Sequence, residues 1–274
     1  MAAQSTQGQP TPNLFLAAVH FLLLQGHAAS LAQFYPSLTA TASPPTSVYP
    51  TFRAFCLAHA AALRHLLATR RVQTDEVGRC AYLLPAFALV ATLANKCPLA
   101  LIEIGTSAGL NLMWDRYGYR YGSETVYGGA RPSVQLVCTL RGNKRPRLPA
   151  RPPEVALKVG VDLHVIDVHK PEEALWLRAL VWPEHRERDL RLRNALEIIW
   201  HRPPRLLSGD GVQLLPDVLC AVPREAAVCV FHTHTVNQWA VEARNRLSTL
   251  LTEHATTRDI SRVAASRLVP PIHS

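Results

Sequence analysis

The sequence predicts an α/β fold, a mostly parallel sheet with helices on both faces, preceded by a helical N-terminal region. Three observations predict it. Short apolar runs bounded by Pro, Gly or Asp recur at LALIEI (99–104), VALKVGVDL (155–163), RLLSGD (205–210), AAVCVFHT (226–233) and DISRVAAS (259–266), as expected of buried strands. Helix-like segments at 171–181, 183–200 and 238–254 lie between them, and such alternation indicates a parallel sheet covered on both sides. Residues 14–95 read as helices rather than strands.

Taken in order, residues 1–13 (MAAQSTQGQPTPN) read as a disordered leader and 14–25 as a helix. A loop at 41–50 precedes a second helix over 51–69, with Phe52, Phe55, Leu63, Leu66 and Leu67 as its apolar positions. Thr74, followed by Asp75 and Glu76, reads as an N-cap with acids in the first turn. That helix runs through Tyr82 toward Leu93, with Pro85 expected to kink it. Past Pro98 the strands begin, so the division expected is a helical cap at 14–97 and a core at 98–274. The first strand leads into a helix over 108–117. Gly128-Gly129 and the β-formers of 119–142 suggest an inserted hairpin.

Composition narrows the function classes. The 274 residues are 48% hydrophobic and 18% charged, which suits a packed core and excludes a disordered chain. The net charge is +9, and Arg supplies 25 of the 29 basic residues. The densest basic segment, RGNKRPRLPARPP (141–153), carries no interleaved aromatics, which argues against nucleic-acid binding. Six cysteines without C-x-x-C or zinc-like spacing read as free thiols in a reducing compartment, and no metal site is expected. The apolar run 14–24 is too short to span a bilayer and lacks a preceding Lys or Arg. A cytoplasmic protein without a membrane partner is expected.

Residues 101–112, LIEIGTSAGLNL, contain the pattern G-x-S-x-G. It fits a hydrolase's nucleophile elbow at Ser107, but such a serine follows a central strand with others before it. Here 99–104 reads as the first strand. The other reading is a cofactor loop, in which Gly105 lets the chain turn and Gly109 lets the helix start approach a ligand. Glu103 at the strand end would repel a pyrophosphate. It would favour a cationic, phosphate-free cofactor such as S-adenosylmethionine. Asp162 ends the next strand, where an acid accepts ribose hydroxyls, although 59 residues after Glu103 is a long spacing. Asp210 ends the third strand and suits an adenine amine or a helix N-cap. All three acids would lie on the carboxyl edge of the sheet, where ligands bind.

RVQTDEVGRCAYLLP, EIGTSAGLNLMWDRYGY, VGVDLHVIDV, WLRALVWPE and FHTHTVNQW, in this order, resemble the uncharacterised bacterial domain of unknown function family 2332. The resemblance implies a Rossmann-like, class I methyltransferase-like core that binds S-adenosylmethionine. It implies that Glu103, Gly105, Ser107 and Gly109 form the cofactor loop, with Asp162 and Asp210 as the second- and third-strand acids. His164-Val165 stand where the family tends to have Asn-Pro, and Asp75 where Asn is common. A class I core usually adds a closing antiparallel hairpin, so the core reads as C-terminally shortened.

Methyl transfer needs orientation of the acceptor more than a particular catalytic group. His232 or His234 is a candidate general base, and Asn237 could orient an acceptor. Gln73, Asp75, Glu76, Arg79 and Tyr82 could form a polar lid over a small-molecule substrate. The leading expectation is a methyltransferase acting on an unknown small molecule. The alternatives are a non-catalytic binding protein on the same fold and a Ser107 hydrolase.

Overall fold

The computed structural model describes residues 9–27, 29–122, 126–128 and 132–265. In chain order the elements are α1 Thr11–Leu24, α2 Ala29–Ala32, α3 Val48–Ala58, α4 Ala60–Thr69, α5 Cys80–Leu93, β1 Leu99–Ile104, β2 Gly118–Tyr121, β3 Gln135–Cys138, β4 Val155–Asp162, α6 Pro171–Ala179, α7 Arg186–His201, β5 Arg205–Ser208, α8 Gly211–Cys220, β6 Ala227–Thr233, α9 Val241–Ala255 and β7 Ile260–Ala265. No helix among the described residues is long and apolar enough to cross a membrane.

Contacts divide the chain into two units, with the boundary before Asp75 rather than at residue 97. The first unit holds the residues before Asp75 together with Asp167–Leu196. Its core is apolar residues of α1, α3 and α4 closed by Trp176 and Ala179 of α6. The Trp176 ring meets Phe21 edge-on at 5.6 Å, and its indole N–H donates to the Arg71 carbonyl at 2.9 Å. The helix expected over 51–69 is two helices, because His59 leaves helical geometry between α3 and α4. Residues 1–8 of the expected leader lie outside the described residues. Gln9 accepts from the Val72 N–H at 2.8 Å, and α1 already begins at Thr11.

The second unit is a mixed α/β layer arrangement of Asp75–Ile166 and the residues from Glu197 on. Its main sheet is parallel throughout, in the order β5-β4-β1-β6-β7. Side chains alternate across a strand, and β1 divides accordingly. Ala100, Ile102 and Ile104 join α8 and α9 in one apolar layer. On the other face Phe87 of α5 packs on Phe231 of β6 at 5.0 Å and on Trp114 at 5.2 Å. Every residue of β1 is buried, which is why LALIEI is a continuous apolar run with one acid.

Three local expectations need correction. Pro85 lies within an unbroken α5, and the turn before it is a 3-10 helix, Val77–Arg79. Residues 108–117 form a 3-10 helix, Leu110–Arg116, because Gly109 stands in the left-handed region at φ +82°. The expected hairpin is a parallel pair, β2 with β3, joined by one antiparallel bridge between Tyr119 and Tyr127. Gly129, within the expected hairpin, and Ser266, the end of the last expected strand, lie outside the described residues.

Phe87 is fully buried between a strand and a 3-10 helix. Phe87→Ala should therefore lower the unfolding free energy of this unit by about 3–5 kcal/mol, read by urea denaturation.

Candidate functional site

The strand order reverses direction at β1: β4 and β5 lie to one side of it, β6 and β7 to the other. Such a reversal opens a crevice at the carboxyl ends of the strands. The turn that leaves β1 there is tight. Gly105, Ser107 and Gly109 all have positive φ, +79°, +56° and +82°. Each reversal frees backbone amides, and the chain supplies carboxylates for them. Ser107 N–H donates to Asp162 Oδ2 at 2.9 Å. Ala108 and Leu110 N–H both donate to Asp75 Oδ2 at 3.2 Å. Asp162 Oδ1 also accepts from His164 N–H at 3.0 Å.

Glu103 does not open toward solvent. It is fully buried, with Oε2 accepting from Thr106 Oγ1 at 2.9 Å and Oε1 from Asn111 Nδ2 at 3.1 Å. Burial, reinforced by Asp75, holds its pKa well above the usual carboxylate range. Asp75 is also buried, and desolvation pushes its pKa up to about 7 against the pull of its two amide donors. Both carboxyls therefore keep protons far above ordinary acid pH.

The glycines are explained by close packing. A Cβ on Gly105 would lie 2.1 Å from Thr235 Oγ1, and one on Gly109 2.9 Å from Pro204. Gly160 of β4 makes room for Thr106, whose Oγ1 would be 2.5 Å from a Cβ there. Of Thr235, Thr106 and Asn111, none was picked out as a site residue in the sequence. Only Asn111, a polar residue within the apolar run GLNLMW, carried a signal.

The remaining candidates fall into distinct places. Asp210 caps α8, its Oδ1 accepting from Val212 N–H at 2.8 Å and Gln213 N–H at 3.1 Å. Oδ2 has no hydrogen bond to the described residues, and Asp210 is half-buried. His232 is buried, and its Nε2 faces Arg262 Nη2 at 3.2 Å. A guanidinium only donates, so Nε2 accepts and the ring proton sits on Nδ1, which has no partner among the described residues. Burial and the Arg262 charge lower the His232 pKa to about 4. It is a poor general base in this arrangement. His234 and Asn237 lie in the segment after β6, half-buried and exposed respectively.

The expected lid is divided. Gln73 belongs to the first unit, while Asp75, Arg79 and Tyr82 belong to the second. Thr74 does not cap a helix over Asp75 and Glu76: Glu76 caps the following turn, accepting from Gly78 N–H at 2.9 Å, while Asp75 is buried against the β1 turn. Arg79 donates to Thr233 Oγ1 at 3.0 Å, and Tyr82 is 44% exposed. Ser107 Oγ is buried and meets no partner among the described residues, whereas an elbow nucleophile is exposed to its substrate. Among the described residues no group of three or more His, Cys, Asp or Glu could hold a metal ion.

A family model described as "Uncharacterized protein conserved in bacteria (DUF2332)" matches residues 1–268. The chain belongs to that family. No curated protein and no solved structure matches it. What this DUF2332 chain offers at its sheet edge is thus read from its own residues: carboxylates on neighbouring strands, and turn amides already occupied.

Two opposed pH dependences follow. Asp75 binds a proton in the fold but not in the unfolded chain between its ordinary 3.8 and about 7. Its stabilisation is full below pH 4 and is lost as pH rises through 7, by a few kcal/mol. His232, lowered from 6.5 to about 4, charges only on unfolding in that window, so stability falls as pH drops through it. Relative to the parent chain, Asp75→Asn should shift the slope of stability against pH between 4 and 6.5 upward, and His232→Gln should shift it downward, with buried Glu103 contributing the same falling slope in both variants. Urea unfolding across pH 4–8 reads both slopes.

Proposed function

We propose that the chain is an S-adenosylmethionine-dependent methyltransferase acting on a small molecule, on a Rossmann-like, class I methyltransferase-like core. The observation that carries this reading is the occupancy of the glycine-turn amides by Asp162 and Asp75. A glycine turn with open amides attracts phosphate. Here those donors are already bonded, and acceptors remain, which suits a cationic nucleoside without phosphate. Counted along the chain, the five strands of the main sheet stand in the order 3-2-1-4-5, the order of nucleotide-binding α/β sheets.

The donor set fits the nucleoside half of the cofactor. Each oxygen of Asp162 keeps a lone pair beyond its one amide, enough to accept from ribose hydroxyls. Asp210 keeps Oδ2 for an exocyclic amine. When bound, the cofactor supplies an electrophilic methyl group on sulfur. The chain's task is then to hold the acceptor in line and to exclude water. His234 and Asn237, on the segment after β6, are the residues assigned to the acceptor, with His234 rather than His232 to take its proton.

A second reading, a non-catalytic binding protein, is favoured by one specific observation. The Thr235 side chain covers the open face of Gly105, where a cofactor's methionine end would approach. Incubation with methyl-labelled S-adenosylmethionine and a metabolite pool separates the two, since label in any acceptor removes the binding-only reading.

Calorimetric titration with S-adenosylmethionine should give saturable heat, with NAD giving none. Asp162→Asn should weaken binding about tenfold or more, and Asp210→Asn by less, because Asp210 offers one free oxygen. Gly105→Val is a poor control, because it would collide with Thr235 and disturb the fold without any ligand. A folded protein that gives no heat with S-adenosylmethionine would overturn the assignment.

A further inference from the structure

The helical unit contains a cavity of about 350 Å³, lined within that unit alone by residues of α1, α3, the segment around Tyr35, and the turn between α6 and α7. This is the small end of the range of ligand pockets, about 300–1,000 Å³, sized for a single fused ring system or a short branched chain. Its walls are Leu16, Ala17, Phe34, Val48, Phe52 and Leu180. Trp182 stands beside them with 41% of its surface exposed.

The polar groups in this lining define the ligand's chemistry. His20 is committed: Nδ1 lies 3.1 Å from the Ala179 carbonyl and Nε2 2.8 Å from Ser37 Oγ. A carbonyl only accepts, so Nδ1 carries the proton and Nε2 accepts from the serine, leaving a neutral ring. Burial lowers its pKa, so it stays neutral. Glu184 and Arg188 bring one charge of each sign. Tyr35 differs from both. Its hydroxyl makes no hydrogen bond to the described residues, and burial, together with nearby Cys56 and Glu184, keeps it protonated. A mostly apolar chamber with balanced charge, in which the Tyr35 hydroxyl is joined by the Asn13 amide and the Thr74 hydroxyl as neutral polar groups, selects for shape and for very few polar atoms.

We propose that this cavity binds a neutral, mainly apolar small molecule, aromatic or alicyclic, whose single oxygen hydrogen-bonds to the Tyr35 hydroxyl. The site is separate from the strand-edge reading above and does not depend on it.

The probes are 2-naphthol, naphthalene and 2-naphthoate, followed on the whole 274-residue chain by saturation-transfer NMR. 2-Naphthol should bind saturably, at least tenfold more tightly than the 2-naphthoate anion, whose carboxylate would lose its hydration in a mostly apolar chamber that also holds Glu184. Tyr35→Phe should weaken 2-naphthol about fivefold and leave naphthalene unchanged. Ala17→Phe, which fills the chamber, should abolish binding of both. Should that variant fail to fold, Val48→Trp at a partly exposed wall position replaces it with the same expected loss. Absence of saturable 2-naphthol binding, or binding undiminished in the filled variant, would overturn the proposal. So would equal losses for naphthol and naphthalene in Tyr35→Phe.

Discussion

The turn after β1 depends on the chain's own carboxylates taking up backbone amides. Three positive-φ residues within five positions leave N–H groups pointing together, a concavity that ordinarily draws an anion. Asp75 Oδ2 takes two of them and Asp162 Oδ2 a third. Steric constraints complete the arrangement. Gly160 admits Thr106, Thr106 and Asn111 hold Glu103, and Gly105 admits Thr235. Replacing any one of these glycines would disturb a neighbour that holds or covers the turn. Strand register contributes as well, since Glu103 stands opposite Gly160 across the β1–β4 ladder.

Much of the fold was legible in the sequence because buried parallel strands announce themselves. LALIEI is apolar but for one acid and AAVCVFHT is apolar up to its final His-Thr, and each became a strand within one residue of its expected start. Elements decided by non-local contacts were harder to read. Nothing near Trp176 says that α6 joins the N-terminal helices, because that follows from Phe21 and the Arg71 carbonyl, more than a hundred residues away. Residues 108–117 read as a helix because they follow a strand and a glycine turn. In the fold it tightens, since Gly109 is left-handed and the Asn111 side chain is drawn to Glu103.

The strand-end acids were legible in position but not in role. Acids at strand ends can be counted off the chain, so Glu103, Asp162 and Asp210 could be named. Whether such an acid faces a ligand or its own backbone depends on where a loop folds back, and the pattern is silent on that. Glu103 turned inward because its strand position points to the face covered by α5 and the 3-10 helix. His232 reads as a base by residue type alone. The neighbouring strand β7 brings Arg262 to it, and a guanidinium beside an imidazole removes basicity that residue type would suggest.

The charge of the whole chain and the charge at this edge pull in opposite directions. A net charge of +9 raises the local concentration of anions around the molecule. Anions so gathered would find the amides of the β1 turn already bonded. To use them, a phosphate would have to displace Asp75, a buried side chain, and strand its carboxyl without hydrogen bonds in an apolar setting. That is costlier than binding at an open turn. The discrimination at this edge therefore resides in the occupied amides more than in a negative field, because burial raises the pKa of both Glu103 and Asp75 and so weakens their charge. A ligand that gains there must donate hydrogen bonds to Asp162 and Asp210, the two strand-end acids that keep solvent contact and uncommitted lone pairs.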